Sequence, residues 1–223
     1  MLDWRYFFNK SLFRHKYKSL SEYSAALYSA QDFTTNKGFR IDSLIASNVD
    51  IESFKIAVSD IANGFDEQIT FYQTQGRDVY NALGGDCGNI HKLILKYIKQ
   101  YYSSLPVNIT IGEVKIDENN DFSFGRDKFC SWLVKKPDIL DCHVWLTIGD
   151  EYILDATIGT YINTRIDKTA AFGGICYGKP GHLMWQTIAN KENRTPDQIQ
   201  GVKFSPIVLG ESALDACAPP AMG

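Results

Sequence analysis

An α+β fold, with helices segregated to one side of an antiparallel sheet, follows from three features of the chain. Residues 1–80 carry helical periodicity, an amphipathic helix follows Cys87, and from Val107 onward short apolar–polar alternations separated by turn residues read as strands. A length of 223 residues is enough for one large domain, and 44% hydrophobic with 22% charged residues is ordinary for a globular chain.

A first helix is predicted from about Ser21 to Ala30. Asp50 suits the N-cap of a second, in which Ile51, Phe54, Val58 and Ile61 form one stripe and Gly64 suits the end. Residues 66–83 have a helical start and no clear stripe. The helix after Cys87 is the clearest element: Ile90, Leu93, Ile94, Tyr97, Ile98 and Tyr101 form a broad apolar face, with Lys92, Lys96 and Lys99 largely off it. Val107, Ile109 and Ile111 alternate with Asn108 and Thr110 as a strand. A polar turn cluster follows from Asp117 to Asp121, and Phe122 to Phe124 and Trp132 to Val134 read as further strands. Residues 143–157 read as a hairpin around Gly149-Asp150. Beyond Thr157, Gly173, Gly174, Gly178 and Gly181 mark a loop-rich stretch, Lys203 to Leu209 a late strand broken by Pro206, and Cys217 the start of a loose tail. The organisation expected is a helical region over residues 1–80 within the same domain, a core over 81–212 and a tail over 213–223.

A net charge of −3 forces no basic face, which argues against nucleic acid as a partner. No apolar run approaches the ~20 residues that span a bilayer, and the charged start from Met1 to Lys18 lacks a signal-peptide core, so no membrane partner is expected. Five cysteines, an odd number without framework spacing, fit free thiols in a reducing cytoplasm. A protein exported without a signal would share these features.

The chemistry centres on Cys87, in the run Gly84-Gly85-Asp86-Cys87-Gly88, with His143 and Asp155 downstream. A thiol, an imidazole and a carboxylate are what covalent acyl transfer by cysteine requires: a base makes the thiol a nucleophile, and an acid holds the base. A cysteine in the first turn of a helix meets unsatisfied N–H groups and the positive end of the helix dipole, which favour thiolate. The Cys87 N–H is placed to help hold an oxyanion, and Asp86 is expected to point outward as N-cap. The hairpin sets a condition. A two-residue turn at Gly149-Asp150 would put His143 and Asp155 on opposite faces, because facing alternates along a strand. A three-residue loop at Ile148-Gly149-Asp150 would pair them, and one at Gly149-Asp150-Glu151 would make them diagonal neighbours.

Gly85-Asp86-Cys87 heading a helix, the strand of Val107 to Val114, His143-Val144-Trp145 opening a strand and Leu154-Asp155-Ala156-Thr157 closing the next resemble the transglutaminase-like branch of the papain-like cysteine protease superfamily. The resemblance spans about residues 84–160 and follows the pattern G-x-C, H-x-W, D-x-T. It implies a papain-like core with the cysteine-headed helix packed on an antiparallel sheet. It implies Cys87 as nucleophile, His143 as general base and then acid, and Asp155 as orienter, with a thioester resolved by water or an amine. A hydrolase of peptide or amide bonds is the simplest activity, acting on a peptide or protein substrate without a cofactor; transglutaminase or deamidase activity, with an amine acceptor in the first case, is the alternative. Family members place a tryptophan, tyrosine or glutamine at the oxyanion hole from outside these motifs, and Gln73, Gln75 and Asn81 are candidates. Gly84-Gly85-Asp86-Cys87 also resembles the arylamine N-acetyltransferases, whose arginine before the glycines is Leu83 here.

Other readings compete. Cys87, His91, Cys142 and His143 could form a zinc site, but adjacent strand residues point oppositely and the spacing is not that of structural zinc. His91 reads as a helix-surface or packing histidine, Cys130, Cys142 and Cys176 as core, Trp145 as hairpin core and His182 as a packed loop residue. A non-catalytic binding module on the same scaffold is the alternative from a different class.

Overall fold

The computed structural model describes residues 20–79, 85–117, 119–162, 174–186, 197–199 and 201–218. Among them the chain forms helices α1 (Glu22–Asn36), α2 (Ile51–Thr74) and α3 (Cys87–Tyr101), then strands β1 (Val107–Ile116) and β2 (Asn119–Phe122). Helix α4 (Arg126–Val134) precedes β3 (His143–Ile148), β4 (Tyr152–Asp155) and the single turn α5 (Ile158–Tyr161). Strands β5 (Ile175–Lys179), β6 (His182–Gln186), β7 (Asp197–Ile199) and β8 (Val202–Leu209) lead to α6 (Glu211–Cys217). The α+β class holds.

Local chemistry starts the helices where the sequence indicates. Ser21 caps α1 by accepting from the Ser24 N–H, and Asp50 caps α2 by accepting from the Ser53 N–H. Helix α2 does not stop at Gly64. Phe65 and Ile69 continue the stripe of Phe54, Val58 and Ile61, so burial carries the helix through an exposed glycine. The buried face of α3 is His91, Ile94, Leu95 and Ile98, whereas Leu93 and Tyr101 are exposed. The apolar face is therefore rotated from the one the sequence suggests, and a histidine sits within it.

The strands form one antiparallel sheet of eight, ordered β2-β1-β3-β4-β5-β6-β7 with β8 on the other side of β1. Its two faces are distinct. Val107, Ile109 and Ile111 of β1 and Val144, Leu146 and Ile148 of β3 pack in one core with α2, α3 and α4. Val114, Ile116, Trp145, Ile153, Cys176, Leu183, Trp185 and Phe204 pack on the opposite face, with Tyr23 of α1. Two residues separate Ile199 from Val202, yet β7 pairs with β6 and β8 with β1. Three Cα steps span at most about 11 Å, so the sheet rolls to bring its two ends together. Helix α1 lies along β8, where Thr34 Oγ1 accepts the Leu209 N–H. Helices thus flank the sheet on more than one side, not on the single side expected.

Three further expectations change. Trp132 to Val134 belongs to helix α4, with Phe129 and Trp132 buried together, not to a strand. The stretch expected to be loop-rich holds the hairpin β5–β6, where Lys179 pairs with His182. The tail expected from residue 213 begins inside α6, whose Ala213, Leu214 and Cys217 are buried.

Candidate active site

The β3–β4 hairpin meets the condition set by the sequence. Ile148 pairs with Tyr152, leaving Gly149-Asp150-Glu151 as a three-residue loop, and Leu146 pairs with Leu154. Asp155 then stands opposite Trp145, one diagonal step from His143 and on its face. Gly149 makes this loop possible: its φ is +65°, and an added Cβ would lie 2.3 Å from Val49 Cγ2 and 2.8 Å from the Ala46 carbonyl oxygen.

His143 Nε2 and Asp155 Oδ2 are 2.5 Å apart, with His143 2% and Asp155 0% exposed. Asp155 Oδ1 accepts from Thr157 N–H at 2.8 Å, Thr157 Oγ1–H at 3.0 Å and Ile158 N–H at 3.0 Å. Both carboxylate oxygens are therefore occupied, and the acid sits at the start of α5 where free N–H groups favour a negative charge. Burial would raise Asp155, but the charge and hydrogen bond of His143, with His91 and the Thr157 amide, hold it down at about 2. Burial would likewise lower His143, but the charge and hydrogen bond of Asp155, followed by those of Cys87, raise it to about 10. Each group thus favours the charged form of the other.

Cys87 is the first residue of α3 and is half-buried. Asp86 is exposed and turns away as N-cap, accepting from Asn89 Nδ2 at 2.8 Å. The Cys87 side chain lies near enough to His143 to add to the upward pull on the ring's affinity for protons. With Nε2 engaged by Asp155, Nδ1 is the ring nitrogen left for the sulfur. Helix α3 packs on the sheet through Ile94, Leu95 and Ile98, which sets its first turn where β3 begins and β4 ends. The structure thus brings together all three residues singled out in the sequence.

Aromatic rings enclose the imidazole: Phe122 lies 4.9 Å from it between centroids, Trp145 6.2 Å and Phe204 6.3 Å. Trp145 reaches Phe204 because Gly112, opposite His143, has no side chain; a Cβ there would lie 2.7 Å from Trp145 Cη2 and 2.2 Å from the Ser205 carbonyl oxygen. Behind Trp145 runs a buried polar chain. Its Nε1–H donates to Tyr23 Oη at 2.9 Å, Tyr23 meets Thr147 Oγ1 at 2.6 Å, and Thr147 meets Thr110 Oγ1 at 2.7 Å.

No family model, curated protein or solved structure matches the chain. The site is therefore read from its own geometry.

His91 is the residue that sequence reasoning undervalued. It is not on the surface but fully buried, with Nδ1 2.7 Å from the Cys87 carbonyl oxygen and Nε2 3.1 Å from the Ala156 nitrogen. The available signal was its position one turn after Cys87. The zinc reading finds no support: among the described residues no group of three or more His, Cys, Asp or Glu side chains is placed to hold a metal. Cys142 and Cys176 are buried, Cys130 half-buried, and His182 exposed at the start of β6. Burial raises the Cys142 and Cys176 thiols well above the ordinary value. Gln73 and Gln75 are exposed at the end of α2, while Asn81 lies outside the described residues, as do Leu83 and Gly84. A cleft of about 650 Å³ opens elsewhere, between Tyr23, Lys179, His182, Lys203 and Phe204, and none of Cys87, His143 or Asp155 lines it.

Proposed function

We propose that the protein is a cysteine-dependent acyl-transfer enzyme that hydrolyses peptide or amide bonds through a thioester on Cys87. The observation that supports this reading is the buried His143–Asp155 pair, its imidazole held by the carboxylate, beside a thiol at a helix start. Composition supports it only by leaving nucleic-acid partners disfavoured, and no helix among the described residues is long and apolar enough to cross a membrane.

The Cys87 thiolate attacks the substrate carbonyl carbon, forming a C–S bond and an oxyanion. The intermediate collapses, the C–N bond breaks, and the amine leaves with the proton from His143 Nδ1. Water then attacks the thioester while Nδ1 takes its proton; the C–S bond breaks, releasing acid and thiolate. An amine in place of water would make the same acyl-enzyme a transglutaminase, and hydrolysis at a side-chain amide would make it a deamidase. The separate 650 Å³ cleft favours a second reading, a binding module with an unused relay.

Iodoacetamide labelling followed by mass spectrometry tests the proposal. Cys87 is expected to react at least about tenfold faster than Cys130, Cys142, Cys176 and Cys217 at pH 7, and His143→Ala to slow it by about 10²-fold. Uniform slow labelling of all five thiols would refute the enzyme and favour the binding module.

A further inference from the structure

His91 is a second buried histidine beside the relay, and the attack does not use it. A backbone N–H can only donate, so the Ala156 amide requires Nε2 of His91 to be an unprotonated acceptor at 3.1 Å. The ring proton of the neutral form then sits on Nδ1 and is donated to the Cys87 carbonyl oxygen at 2.7 Å. One ring therefore ties the backbone of the thiol residue in α3 to the peptide directly after Asp155 in β4. We propose that neutral His91 is a positioning residue that fixes the spacing between the nucleophile and the His143–Asp155 pair, and that its protonation loosens the site.

This rests on Cys87 being the nucleophile. The bond to the Cys87 carbonyl lies within α3, and the bond to Ala156 is the one that crosses to the end of β4. The titratable groups acting on the ring are Asp155 from β4 and His143 from β3, while Cys87 on its own helix meets it through the backbone carbonyl. Burial keeps the ring neutral and its affinity for protons below the ordinary histidine range, with Asp155 opposing and His143 adding to the effect. Asp155 Oδ1 lies 3.5 Å from Nε2. A proton arriving on Nε2 would face the Ala156 N–H donor to donor, and Asp155 Oδ1 would become its nearest anionic acceptor. Protonated His91 would therefore compete with His143 for the carboxylate and release Ala156.

Two measurements decide it. Two-bond 1H–15N correlation of histidine-labelled wild-type protein between pH 7 and 8 is expected to show His91 protonated on Nδ1 and bare on Nε2; the opposite tautomer or a charged ring overturns the proposal. The rate of Cys87 alkylation by iodoacetamide is then followed from pH 4 to 9 in wild type, His91→Gln and His91→Leu. Glutamine offers one donor and one acceptor and does not titrate. It is expected to keep the pH 8 rate within about threefold and to extend reactivity to lower pH, whereas leucine loses about tenfold or more, since small misplacements of reacting groups cost up to about 10²-fold. Equal rates in all three proteins at pH 8, or an acid limb that His91→Gln leaves in place, overturn it. If His91→Leu does not fold, the tautomer and the glutamine profile still decide. A wild-type Cys87 no more reactive than the other thiols would refute the acyl-transfer reading, and the tautomer would still report on the bridge.

Discussion

At the scale of single residues, Asp155 governs the charge of the site. Its carboxylate offsets the burial of His143, and with the charge removed only the weaker pull of Cys87 opposes burial. Asp155→Asn is expected to bring His143 down from about 10, measured by NMR titration, and to slow the proposed acyl transfer by about 10²-fold or more. Tyr23 is the second telling residue. Its hydroxyl accepts from Trp145 and meets Thr147 in a dry interior, so Tyr23→Phe strands a buried indole N–H. A loss of about 1–3 kcal/mol in denaturant unfolding is expected. Burial holds the Tyr23 phenol neutral well beyond the ordinary tyrosine range. The three relay residues were legible in the sequence because each opens or closes an element, where chain punctuation is strongest. His91 was not: spacing alone cannot separate a ring that packs from a ring that bridges, and the second anchor, Ala156, lies 65 positions away.

Elements obey the same physics with larger stakes. Helix α2 was legible at its capped start but not at its end, because Gly64 carries a local preference that the burial of Phe65 and Ile69 overrides. The glycine is exposed in mid-helix and a Cβ would meet nothing within 4 Å. Gly64→Ala is expected to stabilise the protein by about 0.5–1 kcal/mol in urea unfolding, with the relay untouched. Gly112 in β1 is the opposite case. Gly112→Ala forces the Ser205 backbone and the Trp145 ring apart, and a cost of about 1–3 kcal/mol is expected, with altered Trp145 fluorescence. Helix α4 and the β5–β6 hairpin were misread for local reasons. A three-residue apolar run such as Trp132 to Val134 fits either period, and Gly178 and Gly181 read as loop although Gly178 is itself paired within β5 and Gly181 lies in the hairpin turn.

For the molecule as a whole, the described part of the N-terminal region, residues 20–79, is built into the fold. Tyr23 is part of the core on the inner face of the roll, and Phe54, Val58 and Ile61 belong to the core on the other. Removing α1 would leave Trp145 and the Leu209 amide without their partners, so it is not a detachable cover over the site. Charge also acts globally. Asp155 is held at about 2 against an ordinary 3.8, so the stabilisation it gains is present above pH 3.8 and is lost as pH falls through about 2. His143 is raised from 6.5 to about 10, so its contribution is complete below pH 6.5 and fades as pH rises through about 10. These describe one interaction seen from two sides. Urea unfolding of wild type and of the double variant Asp155→Asn, His143→Gln across pH is therefore expected to differ most between about 4 and 6.5, and the gap to narrow on either side.

Strand β8 joins β1 from the far end of the chain, and this has a bearing on biosynthesis. A polypeptide interrupted anywhere between residues 156 and 202 already carries all the reactive side chains, yet β1 then presents a row of bare amides and carbonyls from Thr110 to Ile116. Such an edge recruits other strands. Premature termination there is thus expected to yield aggregates.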